Sequence, residues 1–436
     1  MKDMKAVSRT LWVAIVVIII IIAGVAVYWW YIMPPAEEEV ERKISIAWTE
    51  GPEFDYIEDR ISEFETEYDI EVEFLRIPRA HIMERLMLEI LSPTGKIDGT
   101  VLYILEAPTL AGTGGLVNLY DHKARSEWIA DTFYEDQLEI LEFNGELYFL
   151  PTLWNGALLT YYRSDLFANA TLKAAFNATY GYELEPPDTP DKLLDVAEFF
   201  DDQGYIGIHL QLTTAEMGAG AYTIYPGLAD HFGGGIYDDA TGVITCNSTE
   251  SVEALEYLLE LAQYAQETYL EDGTFEAELA VMQWTDLAMA DQWSYMIPML
   301  PDAAAEWDIS ARPFPQGPDM LGIAILDTSP KKDLVFDFVE WTSSFDIVKG
   351  TTLVTPKAAG RADVATDPDV ASQPWVDVLL DSYGRVQPIA PIIKDPRAVE
   401  IYEMMMLRLG EALAGEKTAK EALDTLYEDI DAILQY

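Results

Sequence analysis

Phe143-Asn-Gly-Glu-Leu-Tyr-Phe-Leu-Pro-Thr-Leu-Trp-Asn-Gly-Ala-Leu-Leu-Thr-Tyr-Tyr-Arg163 is the stretch on which the reading of this chain turns. Asn144-Gly145 suits a two-residue type I′ hairpin turn, because both residue types tolerate positive φ. The apolar run Leu147 to Leu150 then reads as a strand entering a core, and Pro151, which cannot donate to a ladder, ends it. Ala157 to Tyr162 reads as a second buried strand, rich in apolar and aromatic side chains. Between them Trp154-Asn155-Gly156 sets a large indole on an irregular connector.

Upstream of this stretch the pattern alternates. Ile44 to Trp48 predicts a strand, and Ile57, Ile61 and Phe64 lie on one helical face after the Gly51-Pro52 break. Glu71 to Ile77 alternates apolar with acidic residues and predicts a second strand. A helix carrying Leu86, Met87, Ile90 and Leu91 follows, then a third strand over Val101 to Leu105 and a turn at Gly112-Thr-Gly114-Gly115. Strands alternating with helices in this way predict an α/β layer with a mainly parallel sheet. Downstream, helices are expected around Leu193 to Phe200, from a cap at Thr249 or Ser251 through Leu259, around Leu334 to Val339, and as a closing pair from Val399.

The length, 436 residues, suggests two domains, and 50% hydrophobic residues can fill two cores. Asp and Glu number 76 against 27 Lys and Arg, a formal charge of −49. That field repels nucleic acid and anionic lipid, which excludes a nucleic-acid partner. The single cysteine, Cys246, excludes an internal disulfide and any multi-cysteine metal site. Asn169, Asn177 and Asn247 lie in Asn-x-Ser/Thr sequons, which favours a glycosylated protein outside the cytoplasm. Scarce Asn and Cys also lean towards a hot habitat.

Lys2, Lys5 and Arg9 precede an uncharged run from Leu11, closed by Tyr28-Trp29-Trp30-Tyr31. At 1.5 Å per residue this run, taken as 11–33, spans roughly 25–35 Å, enough to cross a bilayer. The basic flank predicts a cytoplasmic segment 1–10 and a bulk that lies outside. Three fates are open: a retained transmembrane anchor, a cleaved secretory signal, or trimming at Lys5-Ala6-Val7, which resembles the prepilin-type site of some archaeal binding proteins. Pro34 to Arg42 reads as a stiff acidic linker.

The 143–163 stretch with Ser164-Asp165-Leu166-Phe167 resembles the "FNGKLYGLPY…LYYRKDLF" segment of extracellular solute-binding proteins of ABC importers, the maltose-binding-like cluster. Further segments follow in the family's order. Leu116-Val-Asn-Leu119 is similar to "aGaLvdL", Leu279 to Trp284 to "vAM…W", and Arg312 to Gly317 to "laplPkGp". Gly322 to Lys331 matches "gwaIsktSkn", Thr355 to Arg361 the last interlobe crossing, and Ala412 to Leu423 "eaLaGkkspeeALd". The resemblance implies a two-lobed, type II periplasmic-binding-protein fold with a hinge and an interlobe cleft, and the apolar run places one N-terminal transmembrane helix before it. Lobe one would be 43–151 plus 322–355, and lobe two 152–321 plus 356–436. It also implies capture of a solute for an ABC permease and its cytoplasmic ATPase.

Sugar rings stack their C–H faces on aromatic rings and take hydrogen bonds from carboxylates and amides. On the family's pattern, Trp48, Glu50, Glu106, Trp154, Tyr222 and Trp284 would line the cleft, with Trp293 the alternative to Trp284. For each ring, core packing is the competing assignment. Four scattered His, no His-Glu-x-x-His, no Gly-x-Ser-x-Gly and no Gly-Lys-Ser/Thr loop leave no enzymatic or nucleotide-binding constellation, and no cofactor is expected. Asp238 to Gly242 reads as a turn rather than a calcium loop. A carbohydrate is the expected ligand. A peptide, a polyol or a phosphorylated solute is the alternative on the same fold, and an anchored glycoside hydrolase the alternative in another class.

Overall fold

The computed structural model describes residues 42–49, 51–121, 123–212, 219–238, 241–265, 279–300, 306–385 and 394–435. The apolar run 11–33, Glu50, His122 and the side chain of Tyr222 lie outside them. Among the described residues, no helix is long and apolar enough to cross a membrane.

Two sheets carry the architecture. The first has the order β2-β1-β3-β10-β4, from β1 (Lys43–Trp48), β2 (Glu71–Arg76), β3 (Gly99–Tyr103), β4 (Trp154–Asn155) and β10 (Met320–Ile325). β1 is parallel to β2 and β3, whereas β10 runs antiparallel to both β3 and β4. The parallel part follows from its crossovers, the helices Pro52–Tyr68 and Arg79–Leu91, since parallel strands need a long connection. Ile57 and Phe64 are buried on the first helix, Ile82 and Leu86 on the second, and Leu91 is instead exposed. The second sheet has the order β8-β5-β9, from β5 (Leu158–Arg163), β8 (Met289–Trp293) and β9 (Trp307–Ala311), with β5 antiparallel to both neighbours. β6 (Tyr237–Asp238) and β7 (Val243–Ile244) form a small hairpin over the expected turn. Helices Ala398–Leu413 and Ala419–Gln435 close the chain.

The Asn144-Gly145 turn is as expected. Both residues have positive φ (55° and 78°), and Phe143 and Glu146 exchange both backbone hydrogen bonds, at 2.9 and 3.0 Å. Leu147 to Leu150 is buried but joins no ladder, contrary to the strand expected there. Its polar groups are met by a loop: Leu119 N–H donates to the Leu147 carbonyl, and Leu147 N–H donates to Asn118 Oδ1. Two further expectations change. The turn at Gly112 is preceded by a helix, Ala107–Gly112. The cap of helix Thr249–Leu261 is Ser248, whose hydroxyl accepts the Ser251 N–H. Ser251 is itself buried, with its hydroxyl held against Gly235.

Candidate functional site

Two segments carry the chain between the two sheets, and a third, which follows β10, is hydrogen-bonded to the first. The first runs from Pro151 to Ala157, the second from Pro313 to Asp319, and the third from Thr355 to Gly360. Leu158 N–H donates to Gln316 Oε1 at 2.6 Å, and Gln316 Nε2 reaches back to the Gly156 carbonyl. Ala358 N–H donates to the Asn155 carbonyl at 2.9 Å. The buried ammonium of Lys357 donates to the Thr152 and Leu153 carbonyls at 2.7 and 2.6 Å. Ser294, just beyond β8, gives its hydroxyl proton to the Pro356 carbonyl. At the head of the second segment, Arg312 pairs with Asp291 of β8 at 2.7 Å and lies over the Phe314 ring, 3.9 Å from its centroid.

At this junction the first sheet hands Trp154 to the second. Its ring meets Trp293 edge-to-face at 5.9 Å and 75°, and Tyr295 at 5.6 Å and 60°. Its indole Nε1–H donates to Asp319 Oδ2 at 2.6 Å. Asp319 and Tyr295 are half-buried, whereas Trp154 and Trp293 are buried. Two further ionisable groups act here. Burial raises the Glu53 carboxyl above its ordinary range; Lys357 opposes that rise, and Asp55 and Asp319 add to it. Burial lowers Lys357 and Glu53 opposes it, so each group works against the desolvation of the other. Glu53 lies in the first turn of helix Pro52–Tyr68, where an acid is also favoured by the helix dipole.

Of the expected cleft residues, Trp154 and Trp293 come together. Trp48 lies in the first sheet's core, fully buried, against Phe54 at 5.0 Å, Phe74 at 4.6 Å and Phe338 at 6.3 Å. Glu106 is buried and closes its own turn, one carboxylate oxygen accepting the Tyr103 N–H at 3.1 Å. Trp284 is half-buried on a small cluster with Leu159, Val281 and Met282. Tyr222 belongs to the backbone of helix Ala219–His231, and Glu50 falls outside the described residues. Asp319, Tyr295, Glu53 and Lys357 are additions from the structure. The Pro318-Asp319 step is the one local mark of Asp319, and nothing local marks its partner 165 residues away. Among the described residues, no group of three or more His, Cys, Asp or Glu side chains could hold a metal ion.

The sequons differ. Asn169 is exposed and caps helix Ala170–Tyr180 through its side-chain oxygen, which accepts from the Thr171 and Leu172 N–H groups. Asn177 is exposed on the same helix. Asn247 is half-buried and its amide nitrogen donates to Asp424 at 2.9 Å.

Residues 59–377 match the family described as bacterial extracellular solute-binding protein. Solved structures share the fold across the chain. The maltose-bound MalE3 of T. maritima is 19% identical, with 90% of this chain and 99% of that one covered and a TM-score of 0.75. The GacH receptor of Streptomyces glaucescens, studied without ligand and with acarbose, is 16% identical, with 90% and 98% covered and a TM-score of 0.76. An ABC transporter solute-binding protein from Agrobacterium radiobacter, in complex with ribitol, is 21% identical, with 90% and 98% covered and a TM-score of 0.75. The matched fold is the two-lobed α/β fold of the maltose-binding proteins.

Proposed function

The chain belongs to the bacterial extracellular solute-binding protein family, and from that premise we propose that it captures a sugar or oligosaccharide between its lobes and delivers it to an ABC permease. The observation that carries the proposal is the aromatic pair Trp154–Trp293, one ring from each sheet, beside the Asp319 carboxylate at the crossings. Rings supply the contact area a sugar's C–H face needs, and carboxylates take its hydroxyls. Maltose and acarbose, bound by the relatives of T. maritima and Streptomyces glaucescens, support a carbohydrate. The ribitol complex supports an open-chain polyol as the second reading.

On this reading the lobes exchange within the three laced segments, close to the limits 43–151 plus 322–355 and 152–321 plus 356–436. Segments laced at one junction form a hinge about which such lobes close. Trp154 and Trp293 contact ligand directly once the hinge opens. Trp284, Tyr222 and Glu50 are the rim candidates, whereas Trp48, packed in the first sheet's core, and Glu106, closing its own turn, stand apart from the ligand. The run 11–33 anchors the receptor in the membrane with its binding domain outside, which raises its effective concentration beside the permease and its ATPase. Exposed Asn169 and Asn177 are the favoured glycan acceptors, and a glycan on Asn247 would displace Asp424.

The test is a thermal-shift screen of the full chain in detergent against maltose, longer maltodextrins, ribitol, amino acids and short peptides. A ligand at 100 times its Kd adds about 2.7 kcal/mol of stability. A rise with one intact sugar supports the receptor. Turnover of that sugar would establish the glycoside hydrolase instead, and a rise confined to peptides would overturn the carbohydrate assignment.

A further inference from the structure

We propose that Asp319 and Gly156 are positioning residues for Trp154, holding its indole in one plane before ligand arrives. Three independent contacts point the same way. The indole N–H edge is tied to the Asp319 carboxylate at 2.6 Å, a charge-assisted bond. The benzo edge lies over Gly156, where a Cβ atom would stand 1.7 Å from Cζ2, 2.2 Å from Cε2 and 2.6 Å from Cη2 of the ring. Trp293 and Tyr295 close the remaining approach. The glycine serves space rather than backbone freedom, because Gly156 is absent from the positive-φ glycines. The strand register explains why both groups reach one ring. β10 and β4 pair Met320 with Asn155 and Leu321 with Trp154, and continuing that antiparallel register sets Asp319 across from Gly156.

A ring clamped at its N–H edge and against a bare backbone has given up its rotamer freedom before binding. Less ordering then opposes the ligand, and affinity rises without any added contact. The same clamp could serve only to staple the first and second crossings, so the test must separate the two roles. Asp319→Asn keeps an oxygen acceptor for the indole and removes the charge. Asp319→Ala removes the acceptor. Gly156→Ala forces the ring out of its plane.

The inference rests on the carbohydrate reading for its affinity measurement alone, so a second measurement without ligand goes with it. In the full-length protein, the Trp154 indole N–H resonance is assigned by its loss in Trp154→Phe and followed in each variant. Kd is measured by calorimetry with maltose and with ribitol. Positioning predicts that the indole resonance broadens or splits in Asp319→Ala and moves in Gly156→Ala, that both lose tenfold or more in affinity, and that Asp319→Asn stays within about threefold of wild type. Unchanged affinity in Asp319→Ala and Gly156→Ala, in folded samples, overturns the proposal and leaves a structural staple. Where neither maltose nor ribitol binds the wild type, the affinity measurement drops out and the carbohydrate reading is decided by the screen above. The resonance then decides by its line shape: an indole signal that stays single and sharp in Asp319→Ala overturns the clamp, and one that broadens or splits upholds it.

Discussion

Two tryptophans mark two kinds of aromatic cluster. Trp48 sits among Phe54, Phe74 and Phe338, with Phe64 and Trp341 completing the group, and its indole N–H meets no acceptor among the described residues. Trp154 sits against Trp293 and Tyr295, its N–H bound to Asp319, with the interacting Glu53 and Lys357 close enough to feel the same field. Both rings are buried, so burial does not tell the two clusters apart. The company does. An all-apolar cluster lowers free energy by area alone, whereas desolvated charges beside a ring cost free energy unless they are paired or used.

The largest expected effect tests the core side of that contrast. Trp48→Ala should cost about 3–5 kcal/mol, read as a lower denaturant midpoint, because a large ring leaves a cavity in a packed core. The Kd of the folded fraction for its solute should stay unchanged. A Kd shift of tenfold would return Trp48 to the cleft wall.

Next comes the charge at the crossings. Because Glu53 binds its proton more tightly in the folded state, it contributes stability that is whole below its ordinary value of 4.5. That contribution is lost as the pH rises through about 7. Glu53→Gln should therefore gain relative to wild type as the pH rises through that window, while it leaves buried Lys357 without its counter-charge at every pH. Urea titrations at pH 4 and pH 8 measure this, and a constant gap between the two proteins would refute it.

A single conservative change then applies the same question to both rings. Trp154→Phe removes a donor bonded to a carboxylate and should cost about 1.5–3 kcal/mol. Trp48→Phe removes a donor that has no acceptor, so the relief offsets much of the lost volume and the net change should stay within about 1 kcal/mol. Equal losses at the two positions would erase the distinction drawn between the clusters.

Much of the frame was legible because it depends on near neighbours. The Asn144-Gly145 turn, the alternation at Glu71–Arg76 and the one-sided helix Pro52–Tyr68 follow from φ preference and periodicity, and the structure keeps all three. The failures share a different origin. Leu147 to Leu150 has strand composition, but its backbone partners are the Leu119 amide and an Asn118 side chain, supplied by a loop 28 to 29 residues earlier. The Thr249/Ser251 cap fails by one position or three, because Ser251 is buried against Gly235 and Ser248 is left to cap. Trp48 ends β1, where a cleft residue was expected, yet its ring turns into the core, where Phe54, Phe74 and Phe338 receive it.

The sequence by itself determined the alternation of strands and helices, the hairpin, the breaks at proline, the absence of a disulfide and the family resemblance, since each is carried by residue type and short spacing. Only the tertiary structure decided which indole met a carboxylate and which entered an apolar core. The bond from Trp154 to Asp319 spans 165 residues, the ring contact with Trp293 joins two sheets, and Lys357 reaches Thr152 and Leu153 across some 200 positions. Such pairings depend on how strands register across a fold, a many-body outcome of packing that no local pattern encodes.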